Sequence, residues 1–249
     1  MKPRFYSDQP IDPAAVDVTL EGPEHQHLSK VLRLRAGDEV QLFDGSGREF
    51  AAVIRECGRN ASQLQIESCA EVDRELSFPL TLGVALPKGD RQQWLVEKCV
   101  ELGVTKLTPL VTTRGVAQPH EKALVRLQKW IINASKQCRR NRLMQVTPAE
   151  TVDQFFARGH QHTVLVMHPE THPQSAPPSV KSGDPSPIYV GIGPEGGFSD
   201  DEIDVARNSN CQLVSLGDRI LRIETAALAT VAALVYGERL WQRRQGEIV

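Results

Sequence analysis

The hydrophobic rhythm of this chain changes near residue 80, and that change limits the fold more than any other feature. Before it, apolar and polar residues alternate over short runs at 16–20, 39–43, 50–54 and 63–66, each of strand length. Gly37-Asp38 and Asp44-Gly45-Ser46-Gly47 supply turns between them. Beyond it, an apolar run at 80–86 leads to a helical pattern over 91–102 and a further strand at 106–111. Strands alternating with helices build a mostly parallel α/β sheet, whereas the first pattern suits a small β-barrel.

The charged stretch ending in Pro79 separates the two regimes. The expected organisation is a barrel at 1–72, a link at 73–79 and an α/β domain at 80–249. One early helix, at 24–34, carries Leu28, Val31 and Leu32 on one face and His27, Lys30 and Arg33 near another. Later come a long helix at 120–140, a strand at 163–167, a Pro- and Ser-rich irregular connection at 170–187 and a strand at 188–192. A short helix from Ser199, a strand at 212–216 and a final helix at 225–241 complete the pattern.

Composition mainly excludes. Charged residues at 24% and apolar residues at 40% describe an ordinary globular chain. The start, Met1 to Asp8, lacks the apolar stretch of a signal peptide, and no apolar run approaches bilayer-spanning length. The expected location is the cytoplasm, with no membrane partner. The 5 cysteines are scattered without a C-x-x-C pair, so reduced and mostly buried thiols are expected. His160, His162, His168 and His172 straddle a strand and a proline-rich stretch without an acidic cluster, and no metal is expected.

A formal charge of −2 hides a local asymmetry, because residues 122–142 carry seven Lys or Arg and no Asp or Glu. On the long helix Leu127, Ile131, Ala134 and Cys138 form an apolar stripe, while Lys122, Arg126, Lys129, Asn133, Lys136 and Arg140 form another. A face of one sign repels itself and suits a phosphate backbone. A solvated basic face is the other reading, as it is for Lys30 and Arg33.

Two glycine loops follow strands late in the chain. Gly191-Ile192-Gly193-Pro194-Glu195-Gly196 satisfies G-x-G-x-x-G, which makes a nicotinamide-dependent oxidoreductase the obvious rival. Glu195 would set a carboxylate against a pyrophosphate, however, and Pro194 removes an amide donor. The next helix begins late, with Ser199 as N-cap and Glu202 closing a capping box. A neutral or zwitterionic ligand fits this loop better, approached by backbone at Gly193, Gly196 and Gly197, with Glu195 available to bond a ligand hydroxyl or to order the loop. The second loop, 216–226, lies at the carboxyl edge of the sheet and brings Leu216, Gly217, Ile220, Leu221 and Ala226 to the same pocket. Glu224 or Thr225 can cap the final helix. Arg219 and Arg222 suit RNA phosphate or a developing oxyanion, with surface solvation as the plainer account.

Gly193-Pro194-Glu195-Gly196-Gly197-Phe198-Ser199, taken with Leu216-Gly217, Ile220-Leu221-Arg222 and Glu224-Thr225-Ala226, resembles the SPOUT methyltransferases, specifically the RsmE-type 16S ribosomal RNA uridine-N3 methyltransferases. The likeness runs through Arg4-Phe5, His27-Leu28, Val31-Leu32-Arg33, 98–103, Pro109-Leu110, Arg114, Ala134, Gln137 and Arg140. It implies an α/β fold, with a SPOUT-type parallel sheet, a C-terminal trefoil knot and a small N-terminal PUA-like β-barrel. It also implies a homodimer, 16S ribosomal RNA or the small ribosomal subunit as partner, and S-adenosylmethionine as cofactor. By position, Met167, Gly193, Gly197, Leu216, Ile220, Leu221 and Thr225 would line the methyl donor, and Arg4, Arg114 and Arg140 would face RNA. Two positions depart from the pattern: Lys136 stands where an acidic residue is expected, and Arg139 where glycine is common.

Uridine N3 carries a proton at neutral pH, so methylation there needs a base or a group that stabilises the anion. Glu224 and Arg222 are the candidates for those catalytic roles, with no metal required. The same fold acting on another RNA base or a ribose is the nearest alternative, and a non-catalytic RNA-binding module is a further one.

Overall fold

The computed structural model describes residues 2–115, 121–169 and 185–245, with side chains from 124 in the second span and to 236 in the third. Lys122, His172 and most of the expected irregular connection lie outside the described side chains. The chain divides into two units: residues 1–75 with 132–143, and 76–131 with 144–249. The division between Glu75 and Leu76 falls within the expected link, but the membership of 132–143 in the first unit has no counterpart in the sequence reading.

In the first unit β1 (Arg4–Tyr6), β2 (Asp17–Glu21), β3 (Glu39–Phe43), β4 (Arg48–Cys57) and β5 (Ala61–Glu71) form a sheet in the order β1-β3-β4-β5-β2. β1 runs parallel to β3 and the other pairs are antiparallel. Register shifts between Ala51 and Ala52 and between Ile54 and Glu56 bend β4 against β5, as bulges do. The curled sheet closes over Phe5, Leu20, Leu28, Val40, Leu42, Phe50, Ile54 and Leu64.

The early helix departs from expectation. Pro23 opens α1 (Gly22–Gln26), which passes after five residues into a π-helical turn, His27–Val31. There Leu32 N donates to His27 O at 2.9 Å, an i to i+5 bond. The wider turn breaks the 3.6-residue period. Leu28 is therefore buried, while Val31 and Leu32 are 66% and 42% exposed beside Lys30 and Arg33.

In the second unit β6 (Leu80–Val84), β7 (Lys106–Val111), β8 (Gln145–Val146), β10 (Thr163–Met167), β11 (Ile188–Ile192) and β12 (Gln212–Val214) form an all-parallel sheet in the order β12-β10-β11-β6-β7-β8, with β9 (Glu150–Thr151) paired to β7. Both faces are covered, so β6 is buried throughout and β10 nearly so. The helices are α2 (Asp90–Glu101), the first part of α3 (Glu121–Cys138), α4 (Val152–Phe156), α5 (Asp200–Asn208) and α6 (Ile223–Gln245). Phe155 and Phe156 on α4 pack with Leu110, Val164, Val166, Phe198 and Ile203.

Register sets the site. Val84 pairs with Ile192, Ile192 with Met167 and Met167 with Val214, so four strands end at one level. Because all run parallel, the segments after β6, β10, β11 and β12 gather at one edge. The 5 cysteines are free, with Cys99 buried and the others half-buried rather than mostly buried. Burial pushes the Cys99 thiol up to about 12, so it stays protonated at neutral pH.

Candidate active site

At that edge Met167, Gly193, Glu195, Gly197, Leu216, Gly217, Arg219, Ile220, Leu221 and Ala226 line one cleft, together with Ile192, Pro194 and Val214. Gly196 and Thr225, expected there, do not line it; Gly196 turns its carbonyl to Arg114 and Thr225 is exposed. A Cβ at Gly193 would lie 3.1 Å from Phe198 N, tighter than side chains normally pack, so a larger residue there would require the loop to shift. Gly217 has φ +99, a backbone state that costs other residues strain.

The first glycine loop is held from three directions. Gly197 N donates to Pro194 O at 2.8 Å, closing a turn. Arg114 Nη1 donates to Gly196 O at 2.8 Å and to Phe198 O at 3.3 Å. Phe198, 3% exposed, packs edge-on to Phe156. Ser199 then caps α5, with Glu202 completing the box as expected, and Glu202 Oε1 also accepts from Thr113 N at 2.8 Å. One buried carboxylate thus fastens the segment after β7 to the start of α5. On the opposite wall Thr230 Oγ1 lies 2.8 Å from Met167 Sδ, steadying a flexible side chain that faces the cleft.

The expected catalytic pair is split. Glu224, in the first turn of α6, is 7% exposed, and its Oε2 is buried without a hydrogen bond. Neither residue lines the cleft; Arg222 is exposed, and its side chain makes no hydrogen bond or ion pair among the described residues. Among the described residues the cation paired with Glu224 is Arg91, whose Nη1 lies 3.9 Å from Glu224 Oε2 and 3.1 Å from Glu195 Oε1. Arg91 follows β6 as the glycine loops follow β11 and β12, so the carboxyl-edge rule applied to residues 85–91 could have found it.

The expected RNA-facing cations divide sharply. Arg4, 8% exposed, stacks on Phe43 and donates to Ser135 O, Arg140 O and Asn141 Oδ1. Burial lowers its guanidinium to about 10, Glu49 opposing, so it stays charged at neutral pH. Lys136 Nζ is bound by both oxygens of Glu24 at 2.9 Å, and Arg140, 3% exposed, pairs with Glu75. These three are occupied inside the first unit, which corrects the reading of one continuous cationic stripe along the long helix. Lys30, Arg33, Arg126, Lys129 and Arg219 are exposed, with Arg126 also donating to Gln92 at 3.0 Å. Among the described residues there is no group of three or more His, Cys, Asp and Glu placed to hold a metal, and no helix is long and apolar enough to cross a membrane.

Residues 74–235 match the family model described as an RNA methyltransferase domain, and residues 20–67 match that of an RNA methyltransferase PUA domain. The chain belongs to the RNA methyltransferase family. Within it, the ribosomal RNA small subunit methyltransferase E of Synechocystis is 36% identical over 224 residues, covering 88% of this chain and 73% of that protein. The structure of the methyltransferase E of Neisseria gonorrhoeae bound to S-adenosyl methionine superposes with TM-score 0.83 at 30% identity, covering 94% and 96% of the two chains. A Legionella pneumophila methyltransferase in complex with the cofactor SAM gives TM-score 0.85 at 32% identity, covering 94% and 97%. An RNA methyltransferase explains both the loop that departs from a pyrophosphate cradle and the PUA-like sheet, and neither rival class does.

Proposed function

We propose that this chain transfers the methyl group of S-adenosylmethionine to N3 of a uridine in the 16S ribosomal RNA of the small subunit. The observation that carries the reading is the convergence of two glycine loops and the end of β10 on one cleft, in a chain whose relatives are named ribosomal RNA small subunit methyltransferases. The cleft fits the donor. Its walls are largely apolar, Gly193, Gly197 and Gly217 line it without side chains, and Glu195 offers acceptors for a hydroxyl or an ammonium.

When bound, S-adenosylmethionine supplies an electrophilic methyl group. The chain's part is to hold the loops, exclude water and manage the N3 proton. Arg114 and Glu202 keep the 193–199 loop in its turn, and Met167, Leu216 and Leu221 bury the donor's apolar parts. Glu224, buried and with a free oxygen, is the proton acceptor in this reading. Arg222 and Arg219, exposed on the same loop, contact RNA phosphate, with Lys30, Arg33, Arg126 and Lys129 as further phosphate contacts. A homodimer, the trefoil knot and a cytoplasmic location belong to the same proposal. Exposed Trp94 on α2 and Tyr236 on α6, helices that pack together, support the dimer, which light scattering tests.

The test is transfer from radiolabelled S-adenosylmethionine to unmodified small subunits and to free 16S RNA, followed by nucleoside mapping. Label in 3-methyluridine is the expected result. Label in another nucleoside or a ribose overturns the assigned atom, and absence of both transfer and donor binding overturns the proposal.

A further inference from the structure

A second cavity, of about 260 Å3, lies beside the donor cleft and shares Pro194, Glu195 and Ile223 with it. Its other walls come from the segment after β6, the first turn of α2, β7 and Gly115 beyond it. Leu86, Pro87 and Leu110 are apolar, while Lys88 and Arg91 bring cationic heads. Apolar walls accept the faces of a planar ring, and the ring's edge must then meet the polar groups available. Lys88 and Arg91 can only donate hydrogen bonds.

Arg91 is placed between this cavity and an unsatisfied carboxylate. Its Nη1 is 3.1 Å from Glu195 Oε1, on a side chain half exposed to water, and 3.9 Å from the buried Glu224 Oε2 that has no hydrogen bond. A buried carboxylate oxygen without a donor is costly, and folds retain such atoms chiefly where a ligand or proton completes them. The Arg91 side chain is 41% exposed, so it can leave one partner for another without unpacking the core.

We infer that this second cavity receives the target base, with a uracil edge set against Lys88 and Arg91, and that Arg91 is a catalytic residue holding the charge that develops on that edge. The inference rests on the methyltransferase reading above and names its base pocket. Uracil presents O2 and O4 on either side of N3. Loss of the N3 proton makes all three atoms acceptors and spreads one negative charge across them, which donor-only cations stabilise. Cytosine carries an amino donor in place of O4, which would face the same cations without an acceptor, so the pair that favours uracil also rejects cytosine.

The step balances. The N3–H bond breaks, with its proton passing through water to Glu224, which lies behind Arg91 and lines neither cavity. The N3 lone pair forms the bond to the methyl carbon as the carbon–sulfur bond breaks, and that electron pair stays on sulfur. The positive sulfonium and the negative base neutralise each other, leaving a thioether and a methylated base. Pro194, Glu195 and Ile223 border both cavities, so the two occupants are neighbours, and direct transfer takes place past the edge of these residues.

The test uses the full chain with Arg91→Gln, Arg91→Lys and Lys88→Gln, each checked for unchanged melting. Arg91→Gln should leave the calorimetric affinity for S-adenosylmethionine within about twofold while lowering single-turnover methyl transfer roughly 100-fold. Part of that loss should return as the pH rises and hydroxide removes the N3 proton, and Arg91→Lys should retain more activity than Arg91→Gln. Independently of turnover, RNA with 4-thiouridine at the target position, irradiated without donor, should cross-link within residues 85–91. Donor affinity falling in parallel with rate would assign the cavity to the donor, and an unchanged rate or cross-links elsewhere would remove Arg91 from the site. Either result overturns the inference while leaving wild-type transfer intact, whereas failure of the wild type itself points to the underlying reading.

Discussion

Arg139 has φ +67, in the left-handed region, one residue beyond the end of α3. Helices often end on glycine there because a Cβ crowds the neighbouring carbonyl. The family resemblance marks Arg139 as a departure from a glycine position, and the backbone angle supplies the reason. Arg139→Gly is expected to stabilise the protein by about 1 kcal/mol, read as a higher urea midpoint at unchanged slope. A lower midpoint would mean that the 3.4 Å contact of Arg139 with Gln41 matters more than the strain. Glu49 makes a second residue-scale case. Burial raises its pKa, but hydrogen bonds from Arg74 and Asn141 and the nearby Arg4 charge outweigh burial and hold it below the usual value. A depressed folded pKa contributes stability that is present above the unfolded value, near 4.3, and lost as pH falls through the folded one. Glu49→Gln should therefore lower stability at neutral pH and converge with wild type in strong acid, as urea titrations across pH would reveal.

At the scale of elements, local chemistry was legible where it decides structure by itself. The strands at 39–43, 106–111, 163–167 and 188–192 coincide with their expected spans. Ser199 and Glu202 announced the start of α5 through a capping box, a pattern contained in four residues. Ser199→Ala should cost about 1 kcal/mol as a lost cap. Glu202→Ala should cost more, since Glu202 also accepts from Thr113 N, and should weaken S-adenosylmethionine binding through the loop it fastens. Calorimetry on both variants separates the two effects, and equal donor affinity in Glu202→Ala would show that the loop holds its shape without this carboxylate. The early helix was misread because its π-helical turn depends on a bond from Leu32 to His27 that no 3.6-residue pattern encodes. β1, β8 and β9 were missed because strands of three and two residues exist only through distant pairing, as Arg4 with Gln41.

At the scale of the whole molecule, the first unit is discontinuous, and its polar core shows why. Arg4 is bound by Ser135, Arg140 and Asn141, Glu24 by Lys136, and Glu75 by Arg140. Residues 1–75 expressed alone should therefore melt without a cooperative transition, and joining residues 132–143 through a flexible linker should restore one; a cooperative melt of 1–75 alone would show that the curled sheet suffices. By itself the sequence determined the change of rhythm near residue 80, the turns, the caps, the two glycine loops and the family likeness, because each is written in residues close along the chain. Only the tertiary structure decided which charges are free to act. Arg4, Lys136 and Arg140 are consumed by partners on other segments, Arg222 is left in solvent, and Arg91 is brought beside Glu195 and Glu224. Burial and ion pairing depend on strand order, and the order β12-β10-β11-β6 joins loops far apart in sequence at one edge of the sheet.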